Sequence, residues 1–169
     1  MPEADRPASP PATLRSSYPI WTEEKIRYGD TDRQGHVNNA VFATFCESGR
    51  VAFFHEQASH VSAHRANFAI VRLELDFRAE LFYPGTVDIG TRVLSLGRSS
   101  FHLGQGIFAG DLCAATAHCI MVLMDDTTRK STPLTPELRA WLEARLVPEP
   151  VLPARRCAGA LGRVSLFAS

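Results

Sequence analysis

Hydrophobic and polar positions change their period along the chain, and each change marks an element. From about Asn38 to Ala58, Val41, Phe42, Phe45, Gly49, Ala52 and Phe53 recur at three- and four-residue steps. That spacing gives one apolar stripe on a helix of about five turns, roughly 30 Å long. Gly49 lowers helix stability, so its place in the stripe predicts close packing against a sheet. Ahead of the helix, Trp21 to Tyr28 reads as a short strand with β-favouring Ile26 and Tyr28. Behind it the period falls to two. Ala69, Val71, Leu73, Leu75 and Phe77 alternate with Arg72, Glu74, Asp76 and Arg78, as in a half-exposed strand. After a Pro84-Gly85 turn, Val87, Ile89, Thr91 and Val93 repeat the alternation. Phe101, Leu103, Gln105 and Ile107 repeat it again between Gly97 and Gly110-Asp111. Leu112 to Met124 is apolar at nearly every position, which predicts a central strand covered on both faces. Pro136 opens a short amphipathic helix through Leu138, Trp141, Leu142 and Leu146, with Thr135 as N-cap.

The order is therefore strand, long helix, four strands, short helix. Short links between the last four strands predict largely antiparallel pairing. One long helix against one curved antiparallel sheet is an α+β architecture. Prolines bound the domain: eight of the eleven fall outside residues 20–146. Residues 1–19, rich in Pro, Ala and Ser, read as a disordered N-terminal arm. Residues 147–169 read as a weakly basic C-terminal tail whose Leu161, Val164, Leu166 and Phe167 could dock on the body.

Charge narrows the classes. The 169 residues carry 18 Lys and Arg against 18 Asp and Glu, a net charge of zero. That balance argues against wholesale nucleic-acid binding, which needs a basic surface, but leaves room for a local cation toward a phosphorylated ligand. No apolar run approaches the roughly 20 residues that span a bilayer, and no secretory signal pattern opens the chain. Cys46, Cys113, Cys119 and Cys157 form no CxxC pair and read as reduced thiols of a cytoplasmic protein.

The chemistry concentrates in Tyr28-Gly-Asp-Thr-Asp-Arg-Gln-Gly-His-Val-Asn-Asn39, just before the long helix. A helix N-terminus offers unpaired N–H groups and a positive dipole end, which can stabilise an oxyanion forming on a carbonyl. An adjacent carboxylate can serve as nucleophile or general base. Together they are the minimum equipment for hydrolysing an activated ester. The same residues are also what a loop and cap require, and on composition Asp30 and Asn38 fit that reading.

The string DTDxxGHVNN, with Glu47 and Arg50 on the following helix, resembles the hotdog-fold acyl-CoA thioesterases of the 4-hydroxybenzoyl-CoA thioesterase type. Leu81-Phe-Tyr-Pro-Gly85, Arg98-Ser-Ser-Phe101, the Ala114 to Met124 run and Pro133-Leu-Thr-Pro-Glu-Leu-Arg139 extend the resemblance, in order, over about residues 20–146. It implies a curved antiparallel sheet wrapped around the long helix. It implies hydrolysis of an acyl-CoA to free acid and coenzyme A, which enters as part of the substrate and leaves no cofactor or metal to be held. By position, Asp32 matches the catalytic acid, and either attacks the thioester or activates water. His36 and Asn39 match positions that shape the site, with the N–H near Asn39 as oxyanion donor. Gly35 and Asn38 fall on the substrate side of the motif. Arg98 matches a position where relatives hold coenzyme A phosphates, although one turn arginine is equally a solvated surface charge. Plant acyl-carrier-protein thioesterases share the Asp, His and paired Asn but carry Asn where this chain has Gln34. The resemblance also implies a homodimer, or a dimer of dimers, with sites between subunits. Phe42, Phe45, Phe53 and Phe54 are candidates for the acyl pocket.

Other arrangements carry less. His55 and His60 are five apart, one too many for a zinc-protease helix face, and His60 and His64 lack a third ligand nearby. Glu47 and Arg50, three apart on the helix, could pair. The competing function is a non-catalytic acyl-CoA or acyl-carrier-protein binding module, since folds are reused. A hydratase on this fold would need a different Asp/His arrangement.

Overall fold

The computed structural model describes residues 11–55, 61 and 63–147. A five-stranded sheet holds β1 (Ile20–Ile26), β2 (Ala66–Phe77), β3 (Gly85–Leu96), β4 (Ser100–Ala109) and β5 (Leu112–Asp125). Its spatial order is β1-β3-β4-β5-β2, and every neighbouring pair is antiparallel. Helix α1 (Asn39–Phe54) packs on the sheet, and α2 (Pro136–Glu143) closes the end of the core. This is the hotdog arrangement, an α+β fold. Among the described residues no helix is long and apolar enough to cross a membrane.

Helix α1 buries Phe42, Phe45, Cys46, Gly49, Arg50, Phe53 and Phe54. Gly49 lies where helix meets sheet: a Cβ there would come within 2.6 Å of Ile89 Cγ2 and 2.8 Å of Gln105 Nε2. The close approach expected from the sequence is therefore real, and its agents are β3 and β4. Helix α1 ends at Phe54 with His55 as C-cap, short of the expected Ala58, and residues 56–60 lie outside the described residues. Around the far end of α1, Phe53, Phe54, Phe101, Leu138 and Leu142 form one core cluster, with Trp141 packed against it. Thr135 caps α2, its Oγ1 accepting the Leu138 N–H at 3.2 Å.

Three sequence expectations need correcting. Residues 11–19 do not belong to a disordered arm. Ser17 and Tyr18 are buried, Tyr18 Oη donates to Ala12 O at 2.7 Å, and Arg15 pairs with Asp88 at 2.9 Å while stacking over Trp21 at 4.2 Å. The Tyr18 ring fills a slot left by the missing side chains of Gly90 and Gly106 on β3 and β4, a non-local fit invisible in a Pro/Ala/Ser-rich composition. The rest of the arm, residues 1–10, and the tail beyond Val147 lie outside the described residues.

The second correction concerns β2. Its register shifts between Ile70 and Arg72 against β5, so strict alternation breaks. Leu73 and Leu75 stay half-buried, but Val71 is 60% exposed and Phe77 is half-exposed. A bulge re-aims the side chains that follow it, and β2 is an edge strand with only β5 beside it.

The third concerns Glu47 and Arg50. They do not pair: Glu47 is exposed, while Arg50 is buried and donates to Gln105 of β4.

Candidate active site

The loop before α1 is built by its own carboxylates. Asp30 is only 4% exposed. Its Oδ2 accepts the Arg27 N–H at 2.7 Å, and its Oδ1 accepts Arg27 Nη2 at 2.9 Å. Hydrogen bonds from the Arg27 side chain, then its backbone N–H and the guanidinium charge, outweigh burial and hold the Asp30 carboxyl below its usual 3.8. The Asp30 carbonyl accepts the Asn38 N–H at 2.9 Å, tying the loop's start to the helix start. Asp30 is thus a structural acid.

Asp32 is placed differently. Its backbone N–H donates to His36 O at 2.8 Å, and its carbonyl accepts the Gly35 N–H at 3.1 Å. This closes a turn in which Gly35 takes φ +85°, a left-handed conformation that glycine adopts at little cost. One carboxylate oxygen, Oδ1, accepts N–H groups from Gln34 at 2.8 Å and His36 at 3.3 Å. Backbone donors therefore fix the carboxylate through one oxygen, and no hydrogen bond among the described residues engages Oδ2.

Asn38 caps α1, its Oδ1 accepting the Ala40 N–H at 3.0 Å and its carbonyl the Val41 N–H at 2.9 Å. With those two N–H groups taken, the Asn39 N–H is the donor left in the first turn. Asp32, His36 and Asn39 line one cavity of about 340 Å³, together with Gln34, Phe42 and Phe77. Gly35 and Asn38 support it as turn and cap. Of the four phenylalanines considered for the acyl pocket, Phe42 lines this cavity and Phe54 a second one further along α1, whereas Phe45 and Phe53 belong to the core.

Sequence reasoning missed Glu80. It lines the same cavity, and its Oε1 lies 3.6 Å from His36 Nδ1. His36 also meets Phe82 edge-to-face at 5.1 Å, and residues 36 and 82 form a β-bridge. The Val37 N–H donates to Leu81 O at 2.8 Å, so the motif loop and the β2–β3 loop are zipped together. Nothing in the local sequence signals that pairing, which joins two loops far apart along the chain.

Arg98 is not brought into this cavity within one chain. It lies in the β3–β4 turn, where its carbonyl accepts the Leu134 N–H at 3.0 Å. Phe77 at the site pairs with Ala115, whereas Ser100 beside the turn pairs with Val122. The step from Ala115 to Val122 along β5 is about 23 Å at roughly 3.3 Å per residue. Among the described residues, no three His, Cys, Asp or Glu side chains converge as metal ligands.

Residues 26–142 match the thioesterase-like superfamily, and the chain belongs to it: it is a thioester hydrolase with the hotdog fold. The 1,4-dihydroxy-2-naphthoyl-CoA hydrolase of Synechococcus elongatus is 26% identical over 129 residues, which span 70% of this chain and 90% of that protein. A Thermus thermophilus thioesterase, whose crystal structure holds coenzyme A and zinc, is 28% identical with a TM-score of 0.67, over 75% of this chain and 94% of that one. The PA5185 protein of Pseudomonas aeruginosa shares the fold at a TM-score of 0.73 and 24% identity, over 80% of this chain and 97% of that one.

Proposed function

We propose that the chain hydrolyses an acyl-CoA thioester to free acid and coenzyme A, with Asp32 as nucleophile or general base and the start of α1 as oxyanion site. One observation carries the reading: a carboxylate fixed through Oδ1 shares a cavity with the first turn of α1. In the general-base route, Oδ2 takes a proton from water, whose oxygen attacks the thioester carbon. The carbonyl oxygen becomes anionic and is received by the Asn39 N–H and the helix dipole. Collapse expels the coenzyme A thiolate, which leaves with the proton held by Asp32. In the nucleophilic route, Oδ2 attacks the same carbon, the thiolate leaves, and water then hydrolyses the acyl-aspartyl anhydride. Both routes need the same oxyanion donor. His36, braced by Glu80 and Phe82, orients the thioester between Asp32 and the helix, while Gly35 and Asn38 keep the loop open to it.

A coenzyme A ester is favoured over a carrier-protein ester by two features. The Synechococcus relative is a CoA-ester hydrolase by its name. Gln34 also stands where the plant carrier-protein enzymes carry Asn. The phosphates are assigned to Arg98 of the partner subunit. Two copies joined antiparallel along the exposed edge of β2 would bring one β3–β4 turn toward the Asp32 end of the other chain. A homodimer is therefore the smallest working unit, and a dimer of dimers is compatible with it. The test is Asp32→Asn, expected to lose about 10³-fold in turnover while retaining coenzyme A binding. Undiminished turnover would refute the assignment.

A further inference from the structure

Helix α1 carries two charged residues, and they behave oppositely. Glu47 is exposed, whereas Arg50 keeps only 8% of its surface accessible. Arg50 Nη1 donates to Gln105 Oε1 at 3.2 Å. Gln105 is itself held, its Nε2 donating to Cys46 O at 2.9 Å and Thr91 Oγ1 at 3.3 Å. The acceptor of this buried cation is thus a neutral amide, and no carboxylate among the described residues lies within ion-pair distance of it. A buried charge without a counter-charge is costly, and an arriving anion relieves that cost.

Arg50 also lines open space. A cavity of about 410 Å³ has Arg50, Phe54, Val61, Phe68 and Met121 in its wall, with the exposed Glu47, His55 and Asn67 also lining it. A neighbouring cavity of about 440 Å³ shares Glu47, Arg50 and Ile70 with it and adds Thr44 and Leu73. Two to three turns nearer the helix start, Asn39 and Phe42 of α1 and Phe77 of β2 line the Asp32 cavity. Helix α1 and β2 therefore both contribute to the walls of all three cavities, which follow one another along the helix from Asn39 to Arg50. The rise from Asn39 to Arg50 along the helix axis is about 16 Å.

We infer that Arg50 is a specificity residue that receives a carboxylate at the far end of the acyl group, so that the preferred substrates are CoA thioesters of dicarboxylic acids. The inference rests on the thioesterase reading of the Asp32 site. With the thioester carbonyl at the Asn39 N–H, the methylene chain lies between α1 and β2, past Phe42, Phe77 and Leu73, and its free carboxylate meets the guanidinium. A guanidinium fork matches a carboxylate bidentately, and the pair is charge-assisted. A neutral methyl end offers the guanidinium no charge, and leaves it with the Gln105 amide.

The test compares esters of equal length on the full chain, sebacoyl-CoA against decanoyl-CoA. Wild type is expected to favour sebacoyl-CoA by about tenfold or more in kcat/KM, and Arg50→Gln to bring the ratio of the two esters, measured within the variant, to about one. Arg50→Lys, which keeps the charge but not the fork, should retain part of the preference. Equal rates on the two esters in wild type, or a preference that survives Arg50→Gln, overturns the inference. A second readout needs no turnover: free sebacate should raise the melting temperature of wild type more than that of Arg50→Gln at equal concentration, and equal shifts overturn the inference. If wild type hydrolyses neither ester, the thioesterase reading is what fails, and the melting comparison still decides the role of Arg50.

Discussion

Asp30 and Asp32 are two residues apart and are held differently, and Asp30→Asn measures the structural part that Asp30 plays. In the wild type, the two Asp30 oxygens together accept the Arg27 N–H and the Arg27 guanidinium, from Nε and Nη2. An amide keeps one acceptor oxygen and turns its NH₂ toward a guanidinium, donor against donor. The loss is that of charge-assisted bonds at a buried acceptor, reduced because the Arg27 side chain is 70% exposed and its ion-pair share is small. The variant should therefore lose about 1–2 kcal/mol at neutral pH, or about 5 °C in Tm for a domain of this size. The pH dependence has a definite sign. The folded carboxyl titrates below its unfolded value of 3.8, so its contribution is complete above that value and is lost as pH falls through the folded value. The amide has nothing to titrate. Urea denaturation of both proteins should show the widest gap at neutral pH and a gap that narrows as pH falls below 3.8. Equal stability at neutral pH, or a gap unchanged in acid, would refute the structural role given to Asp30.

Two further outcomes follow from the packing. Tyr18→Ala empties the slot over Gly90 and Gly106 and frees Ala12 O; it should cost about 3 kcal/mol in urea melts with kcat unchanged, because the ring lies on the sheet face away from α1. A fall in kcat without loss of stability would contradict that placement. Burial pushes the Cys46 thiol up to about 12, so native Cys46 should resist iodoacetamide and react only on unfolding, whereas the half-buried Cys113 reacts first. Mass-mapped labelling that finds Cys46 modified as fast as Cys113 would contradict the packing of α1.

How far the sequence was legible depends on how local each signal is. Strands β2, β3 and β4 and helices α1 and α2 announced themselves by period, because burial on one face leaves a two- or 3.6-residue trace whatever the partner is, while β1 showed in its β-favouring residues and β5 in an unbroken apolar run. The loop chemistry was legible for the same reason: Asp32, Gly35, His36 and Asn38 bond within their own segment. Non-local features left no such trace. The Ile70/Arg72 bulge turned Val71 outward although its alternation was regular. Tyr18 found its slot only because Gly90 and Gly106 align on adjacent strands. Glu80 joined His36 through a bridge between two loops more than forty residues apart. Arg98 fell at the opposite end of the sheet, since a hairpin turn's distance from a site is decided by strand register. Arg50 read as a partner for Glu47 by spacing, yet its guanidinium turned to Gln105, a residue of β4.

The central claim is that the Asp32 carboxylate performs the chemistry. Asp32→Asn preserves size and an acceptor oxygen for the Gln34 and His36 N–H groups, so the loop should stay folded. Free-thiol release from a panel of short, long and aromatic acyl-CoA esters should fall by about 10³-fold or more, with coenzyme A affinity within a few-fold of wild type. A variant that binds coenzyme A and still turns over at the wild-type rate would contradict the account.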